Sequence, residues 1–179
     1  EDKEDWQHAS VAALKGGVTT VFDMPNTKPA TTTQERLQNK FVIIDGQLAE
    51  VDLPLRYKLF FGADKNQFHE IVKVKADIAG IKVFMGASTG DLLMDDESSL
   101  HAVYALAKAH GLLIALHAED ELIIRNNAAK YADQTDFKYH SIIREPQAAV
   151  KAVQLVIELA ELYQVPSYIL HVSTQGELD

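Results

Sequence analysis

Cysteine is absent from the 179 residues. That excludes disulfides and thiolate metal sites, so any metal must be held by histidine, carboxylate or something less usual. No apolar run approaches the ~18 residues needed to span a bilayer, so a membrane segment is not expected. The opening residues, Glu1 to Asp5, are mostly acidic, the reverse of the basic start of a signal peptide. Lysines and arginines are scattered without a basic tract, and the formal net charge is −9. A sequence-independent grip on nucleic acid works by neutralising phosphates, so no nucleic-acid partner is expected; a soluble, cytoplasmic surface is. No Gly-x-Gly-x-x-Gly or Walker loop follows any strand-like run, which leaves a nucleotide-binding domain without support. There is no repeat, low-complexity tract or linker-like stretch, and the length fits a single domain with a core of its own.

What is present is an alternation of short β-rich apolar runs with longer segments of helical period. The runs cover residues 18–24, 55–61, 80–84, 113–117 and 167–171. Trp6, Ala9 and Ala13 share one face of a first helix that Gly16 and Gly17 end. Leu100, Val103, Tyr104 and Ala107 follow the i, i+3, i+4, i+7 spacing of a helix stopped by Gly111. Ala149, Val153, Val156, Ile157 and Ala160 make the clearest apolar stripe, on a helix of roughly four turns that ends before Pro166. Residues 31–52 and 68–76 also read as helical, while 85–96 and 133–145 read as long loops after strands. Continuous apolar strands joined by crossover helices imply a parallel sheet. Both an open doubly wound α/β sheet and a (β/α)8 barrel fit this pattern. Five strands fall short of the eight strands and ~250 residues of a barrel, so on the barrel reading the chain is incomplete.

Three titratable residues stand where a parallel sheet collects its functional groups, at or near the carboxyl ends of strands. His117 ends Leu-Leu-Ile-Ala-Leu-His, and His171 ends Tyr-Ile-Leu-His. A neutral imidazole is a good zinc ligand, and two from neighbouring strands can share one ion. The competing reading is a pair of hydrogen-bonded structural histidines. Lys82 lies inside Gly-Ile-Lys-Val-Phe, where burial would strip its charge and leave a nucleophilic amine. Such an amine can form a Schiff base, take up CO₂ as a carbamate able to bridge two metals, or pair with a hidden carboxylate; otherwise the chain snorkels to water. Asn26 follows Asp23-Met24-Pro25, where Pro25 stops the ladder and the amide can offer a donor and an acceptor to a substrate. His140, Arg144 and Glu145 read as loop and helix-cap residues.

These pieces resemble the dihydroorotases and their amidohydrolase relatives. The resemblance rests on Gly-Gly-Val-Thr-Thr-Val-Phe-Asp-Met-Pro-Asn-Thr at 16–27, Gly-Ile-Lys-Val-Phe-Met-Gly at 80–86, Ala-Leu-His-Ala-Glu-Asp at 115–120 and Ile-Leu-His-Val-Ser-Thr at 169–174. It runs through essentially the whole chain. It implies a single TIM-type barrel domain of which residues 1–179 supply about strands two to six, with one or two zinc ions at the carboxyl rim. It assigns metal binding to Lys82 (carbamylated in many members), His117 and His171, and substrate contact to Asn26. The implied reaction is reversible hydrolysis of dihydroorotate to N-carbamoyl-aspartate, a step of pyrimidine biosynthesis; zinc suits it by acidifying bound water to a pKa of ~7 and polarising a carbonyl.

The family's His-x-His pair, its substrate-binding Arg and the metal-binding Asp of its last strand have no match here, so strands one, seven and eight are expected to be missing and this stretch alone inactive. The catalytic Asp is therefore unassigned, and Asp179 does not qualify. The alternatives are another cyclic amidohydrolase, such as an allantoinase or dihydropyrimidinase, and a non-catalytic dihydroorotase-like subunit; retention of Lys82, His117 and His171 argues against the last. The expected partner is a small-molecule substrate, and a homo-oligomer is compatible with such a barrel.

Overall fold

Short polar side chains start most of the helices, and apolar strands run between them. The structure, a computed structural model, describes residues 4–86 and 92–179. In chain order the elements are α1 (Trp6–Lys15), β1 (Thr20–Asp23), α2 (Gln34–Val51), β2 (Arg56–Gly62), α3 (Phe68–Val74), β3 (Gly80–Phe84), α4 (Glu97–His110), β4 (Ile114–His117), α5 (Glu121–Lys130), α6 (Lys138–Ile143), α7 (Pro146–Tyr163) and β5 (Ser167–Ile169), followed by a 3₁₀ turn (Gln175–Glu177). Asp5, Thr33, Asp96 and Asp120 each accept a hydrogen bond from an otherwise unpaired backbone N–H at the start of α1, α2, α4 and α5. Pro146 opens α7, where its fixed φ costs nothing, and Gly111 closes α4 at φ 64°.

All the strand pairings are parallel, and the spatial order β1-β2-β3-β4-β5 follows the chain. That order decides between the two architectures the sequence leaves open. A doubly wound sheet reverses its strand order at a switch point, and this sheet does not. Its winding is that of a (β/α)8 barrel, of which it forms a curled half.

The two faces differ sharply. Leu59, Phe61, Ile81, Val83, Ile114 and Leu116 are fully buried on the face that packs against the helices, with Ile44, Tyr104 and Val156 in the same cluster. The alternate positions make the inner face. Lys82 there is registered with Gly62 and Ala115, while Phe22 and Tyr168 lie exposed on the outer strands. Among the described residues, β1 and β5 pair on one side only.

Some expectations shift. Residues 133–145 are not a plain loop, because α6 lies within them; it buries no residue, so it has no apolar stripe to read. α5 was not foreseen either, since its buried positions are Glu121, Ile124 and Asn127, and two of those are polar. The buried stripe of α7 runs through Ala148, Ala152, Val153, Val156 and Leu159, and Ile157 lies outside it at 47% exposure. β5 stops at Ile169, short of His171. The expected loop at 85–96 falls partly outside the described residues, which resume at Leu92, and Leu93 bridges to Phe84.

Close strand contact fixes one glycine. A Cβ at Gly80 would sit 2.6 Å from the Leu113 carbonyl oxygen, whereas one at Gly46, on the exposed side of α2, would meet nothing within 4 Å. Gly80→Ala in the full-length protein is therefore expected to lose about 1–3 kcal/mol. Gly46→Ala should gain about 0.5–1 kcal/mol from the better helix former. Urea denaturation of the two variants reads both signs; equal effects would contradict this packing.

Candidate functional site

Because every strand runs the same way, the carboxyl ends of β1 to β5 share one rim. His117 is the last residue of β4 and is registered with Phe84, the last of β3; Lys82 is registered with Ala115. Lys82, Phe84, Ala115 and His117 thus lie on the same, inner face. His171 follows β5 in a left-handed conformation, φ 42°, a sparsely populated region for a residue with a side chain. Its turn is held by the Ser173 hydroxyl, which donates to the His171 carbonyl at 2.7 Å, and by Glu177, which accepts from the Ser173 and Thr174 amides. This turn brings His171 Nε2 to 2.9 Å from His117 Nδ1.

The far side of the His117 ring is also engaged. Its Nε2 lies 2.6 Å from a Glu119 carboxylate oxygen, and Arg144, at the C-cap of α6, pairs with the same oxygen. Burial pushes the Glu119 carboxyl up, but the hydrogen bonds from His117 and Arg144 outweigh it and hold the group below the usual range. Burial and the neighbouring charges of His117 and Lys82 push His171 down. A cavity of about 200 Å³ opens here, lined by His117, Glu119, Arg144, His171, Thr174 and Glu177 among others. A larger cleft of about 550 Å³ lies between α4, α5 and α7 and shares Glu119 with this cavity.

Lys82 is 2% exposed, which removes the snorkelling alternative. Its Nζ donates to the Val83 carbonyl at 2.8 Å and sits 3.9 Å from the centre of the Phe84 ring. No carboxylate of the described residues neutralises it, and burial alone pushes its pKa down to about 7. Among the described residues the ion-pair alternative finds no partner, and burial favours the neutral amine. Phe84 joins it to the histidines: its ring centre is 6.2 Å from that of His117, which is 4.8 Å from that of His171.

Asn26 lies further off, half-buried in the loop after β1, with β2 between its strand and the lysine strand. That loop is anchored from α2 by the buried Lys40, which pairs with Asp23 and donates to the Met24 carbonyl at 2.8 Å. The structure thus joins His117 with His171, links Lys82 to them through Phe84, and leaves Asn26 on the same rim at a distance.

Two imidazole nitrogens 2.9 Å apart fit a shared cation. Zn–N bonds of ~2.0–2.1 Å require an N···N separation of roughly 2.9–3.4 Å for angles from square to tetrahedral. Among the described residues, no group of three His, Asp or Glu side chains is arranged to hold a metal; a lysine carbamate falls outside that set. The donors therefore fit part of a zinc site.

No family model matches the chain. It is 31% identical to a dihydroorotase of Methanosarcina acetivorans over 174 residues, 96% of this chain and 36% of that protein. An allantoinase of Bacillus velezensis is 32% identical over 180 residues, 97% of this chain and 39% of that protein. The fold superposes on the L-hydantoinase (dihydropyrimidinase) from Arthrobacter aurescens with a TM-score of 0.86 at 27% identity, covering 97% of this chain and 38% of that one. Along nearly its whole length the chain is similar to cyclic amidohydrolases, in sequence and in fold. It spans little more than a third of the length of these proteins. Among the described residues, no helix is long and apolar enough to cross a membrane.

Sequence reasoning assigned no role to Glu119 or Phe84, and gave Arg144 only a helix-cap role. The readable signal for Glu119 was a carboxylate two residues beyond a strand-end histidine, since ligand imidazoles commonly donate their second nitrogen to an acid.

Burial pushes the Lys82 amine in the folded chain from its ordinary 10.5 down to about 7. Below about 7 both folded and unfolded chains are protonated, and the full cost of burying the charge falls on the fold. Between 7 and 10.5 the unfolded chain binds the extra proton, so stability rises with pH. Lys82→Met should therefore stabilise the metal-free, CO₂-free protein most below pH 7, by on the order of a few kcal/mol. The gain should vanish toward pH 10.5. Denaturation across this range measures it, and a pH-independent difference would contradict the burial of the amine.

Proposed function

We propose that the full-length protein is a zinc-dependent cyclic amidohydrolase, and within that class a dihydroorotase, interconverting dihydroorotate and N-carbamoyl-aspartate in pyrimidine biosynthesis. Residues 1–179 form part of its single barrel domain. One observation carries the reading: His117 Nδ1 and His171 Nε2 face each other at 2.9 Å on the rim that a buried lysine also approaches. The dihydroorotase relative, matched across 96% of this chain, favours that substrate.

In this reading His117 and His171 hold one ion through those two nitrogens. Zinc, when bound, acidifies water and polarises the amide carbonyl. Lys82 supplies a further ligand. Its neutral amine adds to CO₂, forming an N–C bond as one C=O π bond opens and releasing one proton to solvent, so that a neutral amine becomes a two-oxygen anion. The low pKa favours that addition at neutral pH, because only the unprotonated amine has the lone pair it needs. Asn26 orients the substrate by donating to or accepting from its amide or carboxylate groups. The reaction is that of a soluble, cytoplasmic enzyme acting on a small molecule, and a homo-oligomer is compatible with it.

A second reading, an allantoinase or dihydropyrimidinase, is favoured by the allantoinase relative and by the hydantoinase fold match. Steady-state assays of the full-length protein on dihydroorotate, allantoin and dihydrouracil separate the two; turnover confined to the latter pair would replace dihydroorotate as the substrate. Lys82→Ala is expected to lose bound zinc and activity, with partial rescue by short carboxylic acids. ¹³C-labelled bicarbonate should produce a carbamate resonance in the parent protein, growing as pH rises through about 7, and none in Lys82→Ala. Unchanged zinc and activity in that variant would remove Lys82 from the site.

A further inference from the structure

The His117 ring is approached from both sides, and only one side faces His171. On the other side, Glu119 places a carboxylate oxygen 2.6 Å from Nε2. The three side chains involved are mostly buried: His117 is 15% exposed, Glu119 16% and Arg144 25%. A carboxylate oxygen can only accept, so the imidazole hydrogen belongs on Nε2, and the lone pair belongs on Nδ1, the nitrogen turned toward His171.

Glu119 is itself held at its carboxylate and at its backbone. Arg144 pairs with the same oxygen from the α6 cap. On the other flank, Gly86 lies so close that a Cβ there would come within 2.9 Å of Glu119 Cβ and 3.1 Å of its carbonyl oxygen. Gly86, two residues beyond β3, therefore packs tightly against Glu119.

We propose that Glu119 is the positioning residue for His117, and that Arg144 fixes Glu119, so that the ring is locked with the Nδ1 lone pair turned toward His171 Nε2, where the two nitrogens can share a divalent cation. This rests on the reading of His117 as a metal ligand. The constraint has two parts: the acid selects the tautomer, and the guanidinium stops the acid from swinging off the ring. Partners of this kind commonly change metal affinity by ten- to a hundred-fold when removed. Arg144 thus has a task beyond closing a short helix, and it reaches the rim from 25 residues further along the chain.

Zinc affinity of the full-length protein, measured by chelator competition, tests the proposal together with ¹⁵N NMR of labelled histidine in the metal-free form. Glu119→Ala should weaken zinc binding about 10–100-fold and shift His117 from the Nε2–H form to a tautomer mixture. Glu119→Gln, which keeps an acceptor, should lose less and retain more of the Nε2–H form. Arg144→Ala should fall in the same direction, with Arg144→Lys closer to the parent; if Arg144→Ala does not fold, Arg144→Lys and Glu119→Gln carry the comparison. Lys151→Ala, which breaks a neighbouring pair with Asp120, should change neither readout. Less than a twofold loss of affinity in Glu119→Ala, with the tautomer unaltered, overturns the positioning role while loss of zinc in His117→Asn leaves the metal reading standing. Full zinc retention in His117→Asn overturns both.

Discussion

Parallel pairing in chain order is the constraint on which the rest of this structure depends. It gives the sheet one carboxyl rim, and it sets β3 against β4 so that Phe84 meets His117 and Lys82 meets Ala115. Adjacent strands lie ~4.8 Å apart, so two side chains at neighbouring strand ends can approach a common atom without any special loop. A one-residue slip between β3 and β4 would turn the lysine into the helix-facing core, where Ile81 and Val83 now lie. The apolar alternation of β3 therefore fixes the chemistry as well as the packing.

The inner face tolerates Lys82 because of what surrounds it. An ammonium taken out of water loses several kcal/mol unless it is paired, and the partners here are a carbonyl oxygen and an aromatic face. Neither offsets a full charge. The group responds by giving up its proton at a modest cost of ~1.4 kcal/mol per pKa unit, which leaves a nucleophile in a site that a cation would not favour. His171 feels the same neighbourhood, its charged form opposed by burial and by His117 and Lys82. The unprotonated forms that burial favours in Lys82 and His171 are also the forms able to bind a metal ion.

How much of this could be read in the sequence varies with the kind of signal. β3 could be read to the residue, since a run of Gly-Ile-Lys-Val-Phe between breakers has one way to be a buried strand. The helix at Leu100, Val103, Tyr104 and Ala107 was equally plain, with all of these residues buried. Strand order was not legible: periodicity reports which face of an element is apolar, and it says nothing about which strand is its neighbour. α5 escaped because polar Glu121 and Asn127 fill its buried stripe. At the rim, single residues at strand ends stood out, but partnerships did not. Glu119 and Arg144 meet across 25 positions of chain, and no local spacing encodes such a meeting.

The rim is held from outside the sheet, and at three strand ends by a different device each. Lys40 reaches from α2 to the end of β1, and Arg144 reaches from the α6 cap to the residues after β4. Glu177, in the last turn, gathers the amides that follow His171. None of these supports belongs to the strand it steadies, so the relative placement of Asn26, His117 and His171 is a property of helix docking as much as of the sheet. A helix shift of even 1–2 Å would be felt at the strand ends. This explains why a short helix with no buried residue, α6, has a place in the fold: it contributes little to the core, and its position sets the direction of one guanidinium. Mutations in the helical layer should accordingly disturb the rim through these three contacts before they disturb the core.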